Sequence, residues 1–280
     1  MEKIKSQNFI RHAVQIVAFL LIALVALSKY LAATGSGLLN FFNVSLHAIC
    51  PFGGVVSIYE MITTGGLVHK VQDSSWILMI LVFASAVLFG AVFCGYICPF
   101  GSIQEWVGKL GKRLFPHRYN RFIPGKIDGV LRYLRYVVLA LVVYQTAASV
   151  KLVFQDYNPY FALFNFFTNE VAVSAYAILG ITLVLSLFIE RPWCKYACPY
   201  GAVLGLFNTF RIFKIRRKEE TCIHCGLCDK TCPMNIEISQ TKTVSNHQCI
   251  SCYQCTSDDT CPVSDTVIIA LGKGGTKNEN

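Results

Sequence analysis

The chain has 280 residues, 54% of them hydrophobic and only 15% charged, with a mean hydropathy of +0.49. An ordinary soluble domain is about a quarter charged, so a wholly water-soluble globule is excluded. The formal charge of +9 is a basic excess whose meaning depends on where Lys and Arg fall along the chain.

A bilayer core about 30 Å thick is crossed by roughly 17 to 25 apolar residues. Four runs meet that requirement in chain order: Ala13 to Ala33, broken only by Lys29; Trp76 to Ile97; Tyr136 to Phe154, broken only by Lys151; and Val171 to Ile189. Gly35, Ser36 and further apolar residues follow the first run, in place of a cleavage site and a polar start, so it reads as a retained span. Two connecting segments are too apolar for exposed loops: Leu38 to Tyr59, and YFALFNFF after Asp156, Tyr157, Asn158 and Pro159. Both read as backbone that dips back into the membrane under cover of protein, where such segments line ligand cavities. His47, Glu60, Asp156 and Glu170 are acid/base candidates for proton exchange with a quinol near the outer face. For Glu60 and Glu170 a solvated loop position stays equally open. Cys50, in LHAICPFGG beside His47, joins His47 and Asp156 as the candidate quinone and proton site.

Lys and Arg collect in the loops that stay cytoplasmic. Lys3, Lys5 and Arg11, the eight from Lys109 to Arg135 and the seven from Arg191 to Lys218 fall on one side, against Lys29, Lys70 and Lys151 on the other. Both termini are thereby expected in the cytoplasm of a multi-pass protein. The basic excess becomes a topology signal with affinity for anionic lipid, and no nucleic-acid partner is expected.

Thirteen cysteines facing a reducing compartment favour metal thiolates over disulfides. In the C-terminal region CIHCGLCDKTCP is followed by CISCYQCTSDDTCP, the two-cluster bacterial ferredoxin spacing, in which the fourth Cys of each run crosses to the other cluster. Cys222, Cys225, Cys228 and Cys261 are assigned to one [4Fe–4S] cluster, and Cys232, Cys249, Cys252 and Cys255 to a second. Zinc ribbons pair two C-x₂-C units without the Cys-Pro ends, which leaves zinc the weaker reading. The longer gap before Cys261 lengthens a loop without removing a ligand.

FCGYICPFG and WCKYACPYG place Cys94, Cys98 and Cys194, Cys198 in two copies of C-x₃-C-P, 100 residues apart. Each copy follows a span and precedes an amphipathic stretch ending in basic residues. Cysteines at i and i+4 share a helical face, and the following Pro ends that helix or opens the next. If the two copies face each other, these four thiols are candidates for a third metal or iron–sulfur centre; the alternative, thiols packed as small apolar groups at a helix-ending turn, stays open.

The fold class expected is an all-α membrane bundle of four transmembrane helices in two tandem repeats, plus a small α+β two-[4Fe–4S] ferredoxin-like domain. The divisions are 1–218 for the bundle (repeats at about 1–115 and 116–218), 219–266 for the ferredoxin-like domain and 267–280 for the tail. No C-x-x-C-H for attached haem, no dinucleotide fingerprint and no phosphate-binding loop is present, so iron–sulfur chemistry is the redox chemistry in view.

Four spans, two C-x₃-C-P motifs, an early CPFGG and the two-cluster cysteine pattern together resemble the membrane polyferredoxins of the NapH and NosR type, known from periplasmic nitrate and nitrous-oxide reduction. The resemblance runs from Ala13 to Pro262. It implies a subunit of a bacterial or archaeal inner membrane that relays electrons between the quinone pool and protein redox partners, with the ferredoxin clusters cytoplasmic. An electron-transfer subunit is favoured over a stand-alone enzyme. Two alternatives remain: a membrane copper reductase using the four C-x₃-C-P thiolates, since thiolates suit Cu(I), and a redox sensor, for which no signalling domain speaks.

Overall fold

The computed structural model describes residues 5–33, 73–149, 153–166 and 171–271. Helix α1 (Lys5–Ala33) contains a stretch, Asn8–Ser28, long and apolar enough to cross a membrane, while Met79–Phe89 and Val173–Ser186 are apolar but shorter. Leu20, Leu21 and Leu24 of α1 are exposed, as are Ile80, Leu81, Val137, Leu141, Ile181 and Val184 on other helices.

Helix α2 (Asp73–Phe89) stops short of the expected Ile97. Gly90 sits at φ 81, and a side chain there would collide with Asn208 Oδ1 and stand 2.8 Å from Ser251 Oγ. The chain must therefore turn away from the helix axis to admit the packing of residues 208 and 251. It resumes as a π turn, Phe93–Ile97, which carries Cys94.

After each C-x₃-C-P the backbone does the same thing. The Cys98 N–H donates to the Phe93 carbonyl at 2.9 Å and the Cys198 N–H to that of Trp193 at 2.9 Å. Pro99 and Pro199 then open helices α3 (Pro99–Leu114) and α9 (Pro199–Phe210), where proline's missing N–H costs nothing. Between them lie α4 (Gly125–Leu131), α5 (Leu134–Ser149), α6 (Pro159–Phe164), α7 (Val173–Ser186) and the short α8 (Pro192–Tyr196). Helix α3 packs on α1 and α7, and α9 packs on α5 and α2. Each helix that follows a C-x₃-C-P thus touches one long helix from each half of the chain.

The apolar segment after Pro159 folds as α6, capped by the Asn158 side chain, with Phe161, Ala162 and Phe164 buried. Phe164 lies 6.4 Å from Phe19 in the middle of α1. The segment Leu38 to Tyr59, with His47 and Cys50, lies outside the described residues, as do Glu60 and Glu170.

A three-stranded antiparallel sheet in the order β2-β1-β3 forms from β1 (Phe213–Arg217), β2 (Thr243–Val244) and β3 (Val267–Leu271), with the short helix α10 (Leu227–Thr231) beside it. The central strand precedes the expected start at Glu219: the FKIRR stretch, the basic end of the amphipathic stretch after the second C-x₃-C-P, belongs to the sheet. Ile215, opposite Val244 and Ile269, is buried. Its core includes Met234, Ile236, Ile238 and Val267 and continues without a break through Cys249 and Ile250 to Ala91, Cys94 and Leu204 of the helical part.

Candidate metal centres

One small cavity is lined by Cys222, Cys225, Cys228 and Cys261, and a second by Cys232, Cys249, Cys252 and Cys255. The two loops are built alike. His224 (φ 52) and Gly226 (φ 66) in the first correspond to Ser251 (φ 49) and Tyr253 (φ 54) in the second, 27 residues on. Left-handed residues at those points are uncommon outside Gly, and they let the chain curl tightly with its thiols on the inside. The Ile236 N–H points at Cys232 Sγ at 3.5 Å.

Arg191, three residues before Cys194, donates to the Cys94 carbonyl at 2.5 Å, which brings the two C-x₃-C-P copies together. Gly201 N–H donates to Cys198 Sγ at 3.3 Å, and Gln104 Nε2 reaches Cys194 Sγ at 3.6 Å while its Oε1 accepts from the Trp193 N–H at 3.1 Å. A residue of the first copy thereby grips the cysteine segment of the second.

Among the described residues no three His, Cys, Asp or Glu side chains meet at one point as a single metal ion requires. A cubane takes each thiolate on a different iron and holds them wider apart, whereas a tetrahedral zinc draws four onto one ion. The Ile236 and Gly201 N–H groups aimed at sulfur suit bound thiolates.

The sets lie in sequence through the molecule. The short helix α10, which carries Cys228, packs on the turn Gln254–Thr256, which carries Cys255, linking the first two. A methyl group at Gly95, between Cys94 and Cys98, would stand 2.5 Å from the Ile250 carbonyl oxygen and 3.2 Å from the Cys252 Cα, which brings the second set against the third. The corresponding residue of the other copy is Lys195, buried and paired with Asp128 at 2.9 Å. Gly205 likewise admits the His247 carbonyl, where a side chain would collide; its counterpart is Glu105. At each of these two positions one copy carries glycine and the other a charged residue, Gly95 against Lys195 and Gly205 against Glu105, and the two glycines make one seat for residues 247–252 out of two similar halves. Asn208 holds that seat by donating to the Cys249 carbonyl at 2.6 Å, and Arg211 by bonds to Ser251 Oγ at 3.1 Å and the Val244 carbonyl at 2.5 Å.

Several cations that the sequence offers as topology signals are buried at these sets. Glu105 Oε2 accepts from Arg11, from Arg191 Nη2 at 2.5 Å and from Gln15 Nε2 at 3.3 Å. Arg191 Nη1 also donates to the Cys94 carbonyl at 2.5 Å, and Arg11 and Gln15 both donate to that of Gly95. Burial pushes the Glu105 carboxyl up, but the charges of Arg191 and Arg11 prevail and hold it at about 2. Asp128 is likewise held below the usual carboxylate range, hydrogen bonds from Tyr196, Lys195 and Arg132 outweighing its burial. None of Gly95, Glu105 or Arg191 stands out in the sequence as a site residue; the contrast between the copies at 95/195 and 105/205 is the trace they leave. Asp156 is exposed in a 3₁₀ turn, Val153–Tyr157, its carbonyl accepting the Ser174 hydroxyl.

Fold and thiol sets define an iron–sulfur protein of the ferredoxin type. A family model described as a 4Fe-4S binding domain matches residues 74–118 and again 171–218, which contain Cys94, Cys98 and Cys194, Cys198. The chain is 30% identical to the putative electron transport protein YccM of Escherichia coli, over 71% of this chain and 57% of that one. It is also 30% identical to the uncharacterized protein MJ0750 of Methanocaldococcus jannaschii, over 75% and 82%. Ferredoxin-type protein NapH of Haemophilus influenzae matches at 28%, over 55% and 51%, and regulatory protein NosR of Stutzerimonas stutzeri also matches. The match therefore spans less than two thirds of YccM. No solved structure matches. The chain belongs to the NapH/NosR-type ferredoxin-type proteins.

Proposed function

We propose that the chain is an integral-membrane electron-transfer subunit, multi-pass in a bacterial or archaeal cytoplasmic membrane with both termini cytoplasmic, built as four spans in two tandem halves plus a ferredoxin-like unit. Cys222, Cys225, Cys228 and Cys261 would hold one [4Fe–4S] cluster, Cys232, Cys249, Cys252 and Cys255 a second, and Cys94, Cys98, Cys194 and Cys198 a third. Such clusters, when bound, supply one-electron oxidation and reduction. The observation that carries this reading is the close approach of Gly95 to Ile250 and Cys252, which leaves no room for a side chain at residue 95 and brings the backbones of the second and third thiol sets together.

The ends of the series differ as the role requires. Cys225 is exposed, with the exposed Ile223 beside it, and offers an edge to a soluble redox partner. Cys94 is buried where α2 meets α9, on the side of the quinone pool or a membrane partner. The candidate span Asn8–Ser28 and the apolar side chains exposed on the helices support membrane residence, and the relatives named as electron transport and ferredoxin-type proteins support the electron-transfer role. A quinone and proton site near the outer face, with His47, Cys50 and Asp156, completes the proposal; Asp156→Asn is expected to slow quinol oxidation.

Iron and acid-labile sulfide per chain, measured on anaerobically purified protein with low-temperature EPR of the reduced form, test the three-cluster reading. Three [4Fe–4S] clusters correspond to about twelve irons. The Cys94→Ser, Cys194→Ser double variant is expected to fall to about eight and to lose one EPR signal, leaving two. About eight irons in the unmodified protein would overturn the third centre.

A further inference from the structure

Arg191 is fully buried at the start of α8, in the left-handed region at φ 51. Its Nη1 and Nη2 are bonded to the Cys94 carbonyl and to Glu105, while its Nε has no hydrogen-bond partner. A buried N–H without a partner is costly, which calls for an acceptor at this point. The guanidinium is tied to the third thiol set through the Cys94 carbonyl, and Gly95, the next residue, packs on the backbone of Cys252 in the second. In the other half of the chain the corresponding residue is Ala91, so the duplication does not repeat this charge; Arg11, buried and also paired with Glu105, is the second cation at this point and is left in place by the test.

We propose that Arg191 is a positioning residue shared by the second and third centres, setting the redox potential of both through its buried charge, with Glu105 as the opposing charge. The inference rests on the proposed reading that the third thiol set holds a cluster. A four-thiolate [4Fe–4S] cluster is anionic and gains negative charge on reduction, and net charge and hydrogen bonds at sulfur set its potential. Inside a protein these charges act with little screening. Arg191 therefore favours the reduced state, and Glu105, by partly neutralising Arg191, disfavours it.

EPR-monitored redox titration of the purified holoprotein tests this, with signals assigned by their loss in Cys94→Ser (third set) and Cys232→Ser (second set). In Arg191→Gln the third-set midpoint is expected to move to lower potential, and in Glu105→Gln to higher potential. The second-set midpoint should follow in the same directions by less, and the first-set midpoint should stay. A merely structural tie would not give opposite shifts from the two members of one ion pair. An unchanged or lowered third-set midpoint in Glu105→Gln overturns the proposal. If Arg191→Gln loses its iron, the nearly isosteric Glu105→Gln decides alone. If the unmodified protein shows no third signal, the three-cluster reading fails, and the sign of the second-set shift in the two variants then decides the role of Arg191.

Discussion

The backbone of Cys252 lies where a side chain on Gly95 would have to go, its Cα 3.2 Å from the Cβ position of residue 95. Gly95→Ala is therefore expected to push residues 250–252 off their seat, at a cost of about 1–3 kcal/mol for overpacking. Gly129→Ala in α4, where nothing lies within 4 Å, is expected to stabilise by roughly 0.5–1 kcal/mol through backbone entropy. Thermal unfolding and limited proteolysis of the 213–271 region compare the two; equal behaviour would remove the close contact from the account.

Asn120 and Asn235 clasp each other across the same junction. Asn120 Nδ2 donates to Asn235 Oδ1 at 2.7 Å, Asn235 Nδ2 donates to the Asn120 carbonyl at 2.8 Å, and both residues are left-handed, at φ 58 and φ 50. Asn tolerates that region better than most residues. Asn120→Ala keeps the carbonyl that Asn235 reaches but loses the Nδ2 bonds to Asn235 Oδ1 and to the Pro233 carbonyl, and the tolerance, and is expected to lower stability by about 1–3 kcal/mol. A melting temperature equal to that of the unmodified protein would show the clasp to be idle.

Glu190 predicts a pH dependence. Burial, and then the charge of Glu105, raise its carboxyl from 4.5 to about 7, against the lowering by Arg191, Lys112 and Arg11. A pKa raised on folding means that the folded state takes up the proton more readily. The contribution is full below about pH 4.5 and is lost as pH rises through about 7. The melting temperature should fall between about pH 5 and about pH 8, and Glu190→Gln should flatten that fall and raise stability at the upper end. Identical profiles for the two proteins would rule Glu190 out as the cause.

The two ferredoxin cavities predict which cysteine variants share a spectrum. Cys261→Ser is expected to abolish the same EPR signal as Cys222→Ser, although 39 residues separate them, and Cys232→Ser the same signal as Cys252→Ser. If Cys232→Ser instead matched Cys222→Ser, each run would bind its own cluster and the crossed assignment would be discarded.

Much of this arrangement is legible in the sequence because its constraints are local. Cysteine spacing reflects how a few residues of backbone wrap a cofactor, and the repeat of FCGYICPFG as WCKYACPYG announces two backbone segments that later make the same hydrogen bonds. Less legible is the end of α2. Ala91 to Ile97 is as apolar as the helix before it, and only the approach of Asn208 and Ser251 to Gly90 forces the break. FKIRR reads equally well as a basic helix end, and it is a strand because β2 and β3 supply partners on both sides.

By itself, then, the sequence determined the apolar runs, the asymmetric basic loops, the duplicated C-x₃-C-P and the cysteine pattern of the C-terminal region, all properties of neighbouring residues. The tertiary structure alone decided that Arg11, Arg191 and Lys195 are buried partners of Glu105 and Asp128 rather than surface charges, and that Gly95 and Gly205 form the seat for residues 247–252. The reason is physical. A charge is buried only where a partner from a distant part of the chain meets it, and the worth of a glycine depends on what packs against it; neither is set by the residues on either side.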